Sequence, residues 1–109
     1  MTKYRSGDLV LVAFPFSGGG PGKRRPALVI ADAGDDNVVL ARVTTQSTRT
    51  PLDVPLTDWQ KSGLLAASVV RLHKLATIEK TLVSRTLGSI SSVDRASVSK
   101  GLQQLLNDW

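Results

Sequence analysis

Asp8-Leu-Val-Leu-Val-Ala-Phe14 runs apolar through six positions after its aspartate and stops at Pro15. A continuous apolar run of this length, rich in Val and Leu, is too short for a typical buried helix and has the pattern of a strand covered on both faces. A second run, Pro26-Ala-Leu-Val-Ile-Ala31, carries its proline at the first position, where a missing N–H harms a ladder least. Two such strands place a sheet at the centre of the fold. Between them, Phe16-Ser-Gly-Gly-Gly-Pro-Gly-Lys-Arg-Arg25 holds four glycines, a proline and three cations, the composition of a flexible basic loop. After the second run, Ala33-Gly-Asp-Asp-Asn37 has the residues of a hairpin turn.

Farther out the pattern alternates. From Val38 to Gln46, Val39, Ala41 and Val43 fall on one face and Arg42, Thr44 and Gln46 on the other, so this strand carries a polar face beside the core. Pro51-Leu-Asp-Val-Pro-Leu56 keeps Leu52, Val54 and Leu56 at period two, and its prolines make it an edge strand. Thr57-Asp58 can cap a short turn of helix that Gly63 stops. Ser68-Val-Val-Arg-Leu-His-Lys-Leu75 is a further strand with Val69, Arg71 and His73 on one face, and Thr81 to Ile90 leans towards strand. The character then changes: Ser91 and Asp94 form a capping box, and Val98, Leu102, Leu105 and Leu106 make the apolar stripe of a terminal helix. The sum is one mostly-β domain over residues 1–109, a small bent sheet or barrel of five or six strands with a helix packed on it.

Composition bounds the chemistry. The chain of 109 residues has no cysteine and one histidine, which removes disulfides, thiolate catalysis and Cys-based zinc sites. No metal or other cofactor is expected, because ligand sets need three or four protein groups. No apolar run approaches a membrane span and the N-terminus lacks a secretory pattern, so a soluble, cytoplasmic protein without a membrane partner is expected. The net charge of +5 favours a polyanion as partner.

Individual motifs narrow this further. Gly18 to Lys23 does not make a phosphate loop, which needs Gly at Ser17 and Ser or Thr at Arg24. Lys23-Arg24-Arg25 is the densest cationic cluster, and Arg25 joins a mobile-looking loop to a buried strand, a fixed origin from which a guanidinium fork can grip a phosphate. His73 has no second histidine to work with, so any second proton carrier is of another type. No nucleophile elbow or acyl-transfer triad is present. Phe16 and Trp59 are each able to stack a base, although core packing is the commoner fate of such side chains. From spacing alone, Arg71 with His73 and Arg42 with Thr44 are equally well explained as the polar outer face of a half-buried sheet.

Taken in order, Gly7-Asp-Leu-Val10, Gly22-Lys-Arg-Arg-Pro-Ala-Leu-Val-Ile30, Val43-Thr-Thr-Gln46, Gly63-Leu64, Ser68-Val-Val-Arg71 and Ala76-Thr-Ile-Glu79 resemble the MazF/PemK (Kid) family of toxin endoribonucleases. The resemblance spans nearly the whole chain. It implies a CcdB/MazF/Kid-like fold, a small SH3-like barrel with a C-terminal helix, acting as a homodimer. It also implies ribosome-independent, metal-free cleavage of single-stranded mRNA at short sequences, and inhibition by a cognate antitoxin whose disordered acidic tail folds over the RNA site.

Carried over residue by residue, Arg25 matches the family's catalytic arginine, Thr44 its catalytic threonine and Arg71 the second arginine of the Kid branch. In that branch an aspartate stands two positions after this arginine; here the place is held by His73. The chemistry implied is attack of the RNA 2′-OH on the adjacent phosphorus. Arg25 stabilises the phosphorane and, as a weaker second role, protonates the leaving oxygen; Thr44 orients; His73 acts as base. Lys23, Arg24, Arg42 and Gln46 bind flanking RNA. Two other readings share these features: a CcdB-like toxin that binds gyrase without RNA chemistry, and a nucleic-acid-binding module without catalysis.

Overall fold

The computed structural model describes residues 2–13 and 23–109. The apolar runs become β1 (Asp8–Val12) and β2 (Arg25–Ala31). They are followed by β3 (Asn37–Thr44), β4 (Asp53–Pro55), β5 (Val69–Glu79), a 3-10 turn (Lys80–Leu82), β6 (Val83–Ser89) and helix α1 (Ser92–Leu105). The described strands form one antiparallel sheet in the order β4-β5-β3-β2-β1-β6. The basic loop, apart from its last three residues, and Phe14 and Phe16 lie outside the described residues.

Burial follows the sequence pattern. Leu9, Leu28, Ala41, Val43, Val70 and Leu72 face a core that Val98 of α1 caps, while Val10, Val12, Ala27, Val29, Leu40 and Ile78 fill a second core on the opposite face. Strands β1 to β3 are therefore covered on both sides, as continuous apolar runs require. Each fully buried Leu or Val contributes about 1.5–3 kcal/mol relative to exposure. Trp59 packs against the first core and Tyr4 against the second, so Trp59 is spent on packing. The Asp35-Asp36 segment is a turn, with Asp35 Oδ1 accepting from the Asn37 amide at 2.9 Å and Gly34 at φ +92°.

Four expectations are corrected. Among the described residues the sheet is not closed by hydrogen bonds, since β4 and β6 share no ladder. The turn after β4 instead lies backbone to backbone on β6: a Cβ on Gly88 would stand 2.9 Å from the Ser62 carbonyl carbon, and one on Gly63 2.9 Å from that of Leu87. Second, Thr57-Asp58 does not cap a helix. Both amides, and the Thr57 hydroxyl, donate to the buried Asp94 carboxylate at 2.8–2.9 Å, tying the turn to the first turn of α1. Third, Leu106 lies past the helix end and is 57% exposed, so the apolar stripe stops short of it.

The fourth correction concerns β5. Arg71 pairs with Arg42, but the next pair is Leu75 with Ala41, so Leu72, His73 and Lys74 have no partner in β3. This bulge bends the strand and reverses its inward phase: Val70 and Leu72 face the first core, Ala76 and Ile78 the second. The strand expected over Ser68–Leu75 therefore runs on to Glu79 in reversed phase. Before the reversal the alternation holds, and Arg71 and His73 line one cleft as expected.

Candidate functional site

Residues brought to one face by register build this cleft. Ala27 of β2, Arg42 of β3, Arg71 of β5 and Asp53 of β4 form a continuous row across four strands. Arg25 and Thr44 each lie two residues from the Ala27–Arg42 pair, so they share its face at the open end of β2 and β3. The resulting cleft, about 570 Å³, is lined by Arg25, Arg42, Thr44, Gln46, Arg71 and His73. All four sequence-derived catalytic candidates are thus together. Lys23 and Arg24 are exposed and do not line it; they lead directly into Arg25 at its edge.

Arg49 and Lys74 add their charges, so five Arg and Lys side chains line the cleft and no carboxylate does. The nearest acidic group lies below the lining. Asp53, inaccessible in its side chain, accepts from the Arg49 amide at 2.7 Å, the Thr50 amide at 3.0 Å and Arg71 Nη1 at 3.0 Å, all through Oδ2. Burial pushes its carboxyl up, but the two amides and the charges of Arg71 and His73 outweigh this and hold it below the ordinary carboxylate range. Its other oxygen, Oδ1, has no hydrogen-bond partner and faces His73 Nδ1 at 3.9 Å.

The polar side chains are held as well as gathered. Arg71, itself buried, also donates from Nη2 to Gln46 Oε1 at 3.1 Å, so its fork is fixed at both tips. Thr44 Oγ1 accepts from the Gln46 amide at 3.2 Å, which leaves its hydroxyl proton to donate into the cleft. Gln46, an expected RNA contact, therefore also orders the floor. Asp53 was missed by sequence reasoning. A signal existed: a carboxylate between Leu52 and Val54 in a strand is disfavoured unless something pairs it. Among the described residues, no three His, Asp or Glu side chains gather as a metal site.

A strand-bent sheet with a cationic cleft at the β2–β3–β5 end and a terminal helix behind it is the arrangement against which known proteins can be compared. The family model for PemK-like, MazF-like toxins of type II toxin–antitoxin systems matches residues 5–106. This chain belongs to that family. Among solved structures, it is similar to a mycobacterial endoribonuclease in complex with its cognate antitoxin, at TM-score 0.80 and 16% identity over 98% of each chain. It is similar also to the Mycobacterium tuberculosis toxin MazF-mt6, at TM-score 0.76 and 20% identity over 94% of this chain and 99% of that one. The MazF of Deinococcus radiodurans gives TM-score 0.71 and 26% identity over 94% of each chain. No curated protein matches in sequence. Family membership agrees with the resemblance carried by the ordered motifs, and the fold agrees in its mostly-β sheet and C-terminal helix.

Proposed function

We propose that this toxin is a metal-independent endoribonuclease that cleaves single-stranded RNA by attack of a 2′-OH on the adjacent phosphorus. The observation that carries the proposal is the cleft lined by five cationic side chains together with Thr44 and His73. RNA supplies both the negative charge and the nucleophile, so the protein has to position, neutralise and move protons.

In this mechanism His73 takes the proton from the 2′-OH as the new bond to phosphorus forms. Arg25, exposed at the start of β2, places its fork on two non-bridging oxygens and stabilises the phosphorane. Thr44 orients the phosphate by a hydrogen bond from its hydroxyl to a phosphate oxygen. The bond from phosphorus to the 5′ oxygen then breaks, leaving a 2′,3′-cyclic phosphate and a 5′-OH. A guanidinium gives up a proton reluctantly, so Arg25 hydrogen-bonds the leaving oxygen while solvent supplies the proton. Arg42, Gln46, Lys23 and Arg24 contact the flanking strand.

A cationic cleft of this kind also suits the acidic, fold-on-binding segment of a cognate antitoxin, and the similar mycobacterial structure is a toxin–antitoxin complex. The active species is a homodimer in the cytoplasm. The mechanism is tested with an RNA carrying a single 2′-deoxy substitution at a mapped cut. Loss of that cut alone is expected; continued cleavage there would show that the 2′-OH is not the nucleophile.

A further inference from the structure

Asp53 has one oxygen saturated and one bare. Oδ2 accepts from two amides and Arg71, while Oδ1 is buried with no partner and its facing donor is Nδ1 of His73, 3.9 Å away. The separation is about 1 Å too long for a charge-assisted hydrogen bond. His73 is free to close it, because it stands in the β5 bulge without a ladder partner in β3. Arg71 and the amides prevent the carboxylate from turning to meet any other group.

We propose that Asp53 is a positioning residue: it holds the His73 imidazole through Nδ1–H, so that Nε2, bare of its proton, faces the cleft to receive the proton of a substrate hydroxyl. The inference rests on the cleavage mechanism above and adds a carboxylate from β4 that orients the base. The depressed titration of Asp53 is consistent with an anion available to stabilise the imidazolium formed during proton transfer. The other charged groups around the cleft are all cations: Arg25 from β2, Arg42 from β3, Arg49 from the segment before β4, and Arg71 and Lys74 on the same strand as His73. Among the described residues Asp53 is the one carboxylate placed against His73.

The chain has one histidine, so its ring nitrogens can be observed without assignment ambiguity. Long-range proton–nitrogen NMR on the unliganded full chain should show neutral His73 as the Nδ1–H tautomer. In Asp53→Asn, the amide oxygen can keep the Arg49, Thr50 and Arg71 donors while the amide nitrogen turns a donor towards His73. The expected result is inversion to the Nε2–H tautomer and a fall in kcat of at least about 100-fold, with KM for RNA changed less than about threefold. An Nε2–H tautomer in the unsubstituted protein, or full kcat in folded Asp53→Asn, would overturn the assignment. Should Asp53→Asn unfold, the tautomer of the unsubstituted protein still decides it. A chain that shows the Nδ1–H tautomer yet cuts no RNA counts against the cleavage mechanism and leaves the pairing standing.

Discussion

Arg71 reaches from β5 to Asp53 on the edge strand β4, Nη1 to Oδ2 at 3.0 Å, and the two side chains are the buried ion pair beneath the cleft. A pair of this kind adds little over a well-packed apolar pair, but removing one member strands the other. Arg71→Ala leaves Asp53 buried with two amide donors only. The expected loss is about 3 kcal/mol of unfolding free energy, measured by urea denaturation. A loss below about 1 kcal/mol would mean that water enters and the pair is not buried in solution.

The contact between the Ser62-Gly63 backbone and Leu87-Gly88 substitutes for a closing ladder. Gly88→Ala forces backbone against backbone and is expected to cost about 1–3 kcal/mol. Gly63→Ala should cost about 1 kcal/mol more, because φ at this position is +94° and a Cβ disfavours that conformation. Denaturation midpoints at constant m-value check both; wild-type midpoints would show that the turn does not lie on β6.

Three aspartates couple folding to acid. The Tyr4 amide, more than the Gly34 amide and Lys80, brings Asp32 down to about 2 against the effect of burial. Burial raises Asp53 and Asp94, but donors from Arg49 and Thr50, and from Asp58 and Thr57, bring each below its ordinary value. A carboxyl with a depressed folded pKa binds fewer protons folded than unfolded, so its contribution is complete above the unfolded value near 4 and is lost as pH falls through the folded one. For Asp32 that window runs from about 4 to about 2. Thermal midpoints should therefore hold from neutral pH to about 5 and fall steeply below about 4. Asp94→Asn should flatten part of that fall, and an unchanged acid limb would contradict the role of its carboxylate.

Much of this fold is legible in the residues. Leu9 to Val12 and Ala27 to Val29 are apolar without interruption, and burial on two faces leaves little else for them to be. The cleft was half legible: alternation puts Arg42 and Thr44 on one face, and the family resemblance singles out Arg25 and Arg71. The β5 bulge was only faintly marked: the alternation of Arg71-Leu-His-Lys-Leu75 slips at His73-Lys74, but no glycine accompanies the bend. The Ser91–Asp94 box was half right. The Asp94 amide donates to Ser91 Oγ at 3.2 Å, but its carboxylate serves Thr57 and Asp58, partners distant in sequence. Asp53 escaped for the same reason, since its worth depends on which residue of β5 stands opposite.

Lys23 and Arg24 precede the cleft and are exposed, so their contribution should be affinity rather than chemistry. For a single strand, each phosphate contact removed lowers the slope of log K against log salt by about 0.7. Lys23→Ala with Arg24→Ala is expected to reduce the slope by about 1.4 and raise KM with kcat retained. A fall in kcat at saturating RNA would instead place one of them at the reacting phosphate.

Cleavage itself is the most direct test. Purified protein is incubated with a long single-stranded RNA in excess EDTA, beside folded Arg25→Ala, and the cut sites and end groups are mapped. The account predicts cuts at a defined short sequence with 2′,3′-cyclic phosphate and 5′-OH ends, slowed by about 100-fold or more in the variant. Intact RNA with a folded protein, or cutting that EDTA abolishes, would contradict it.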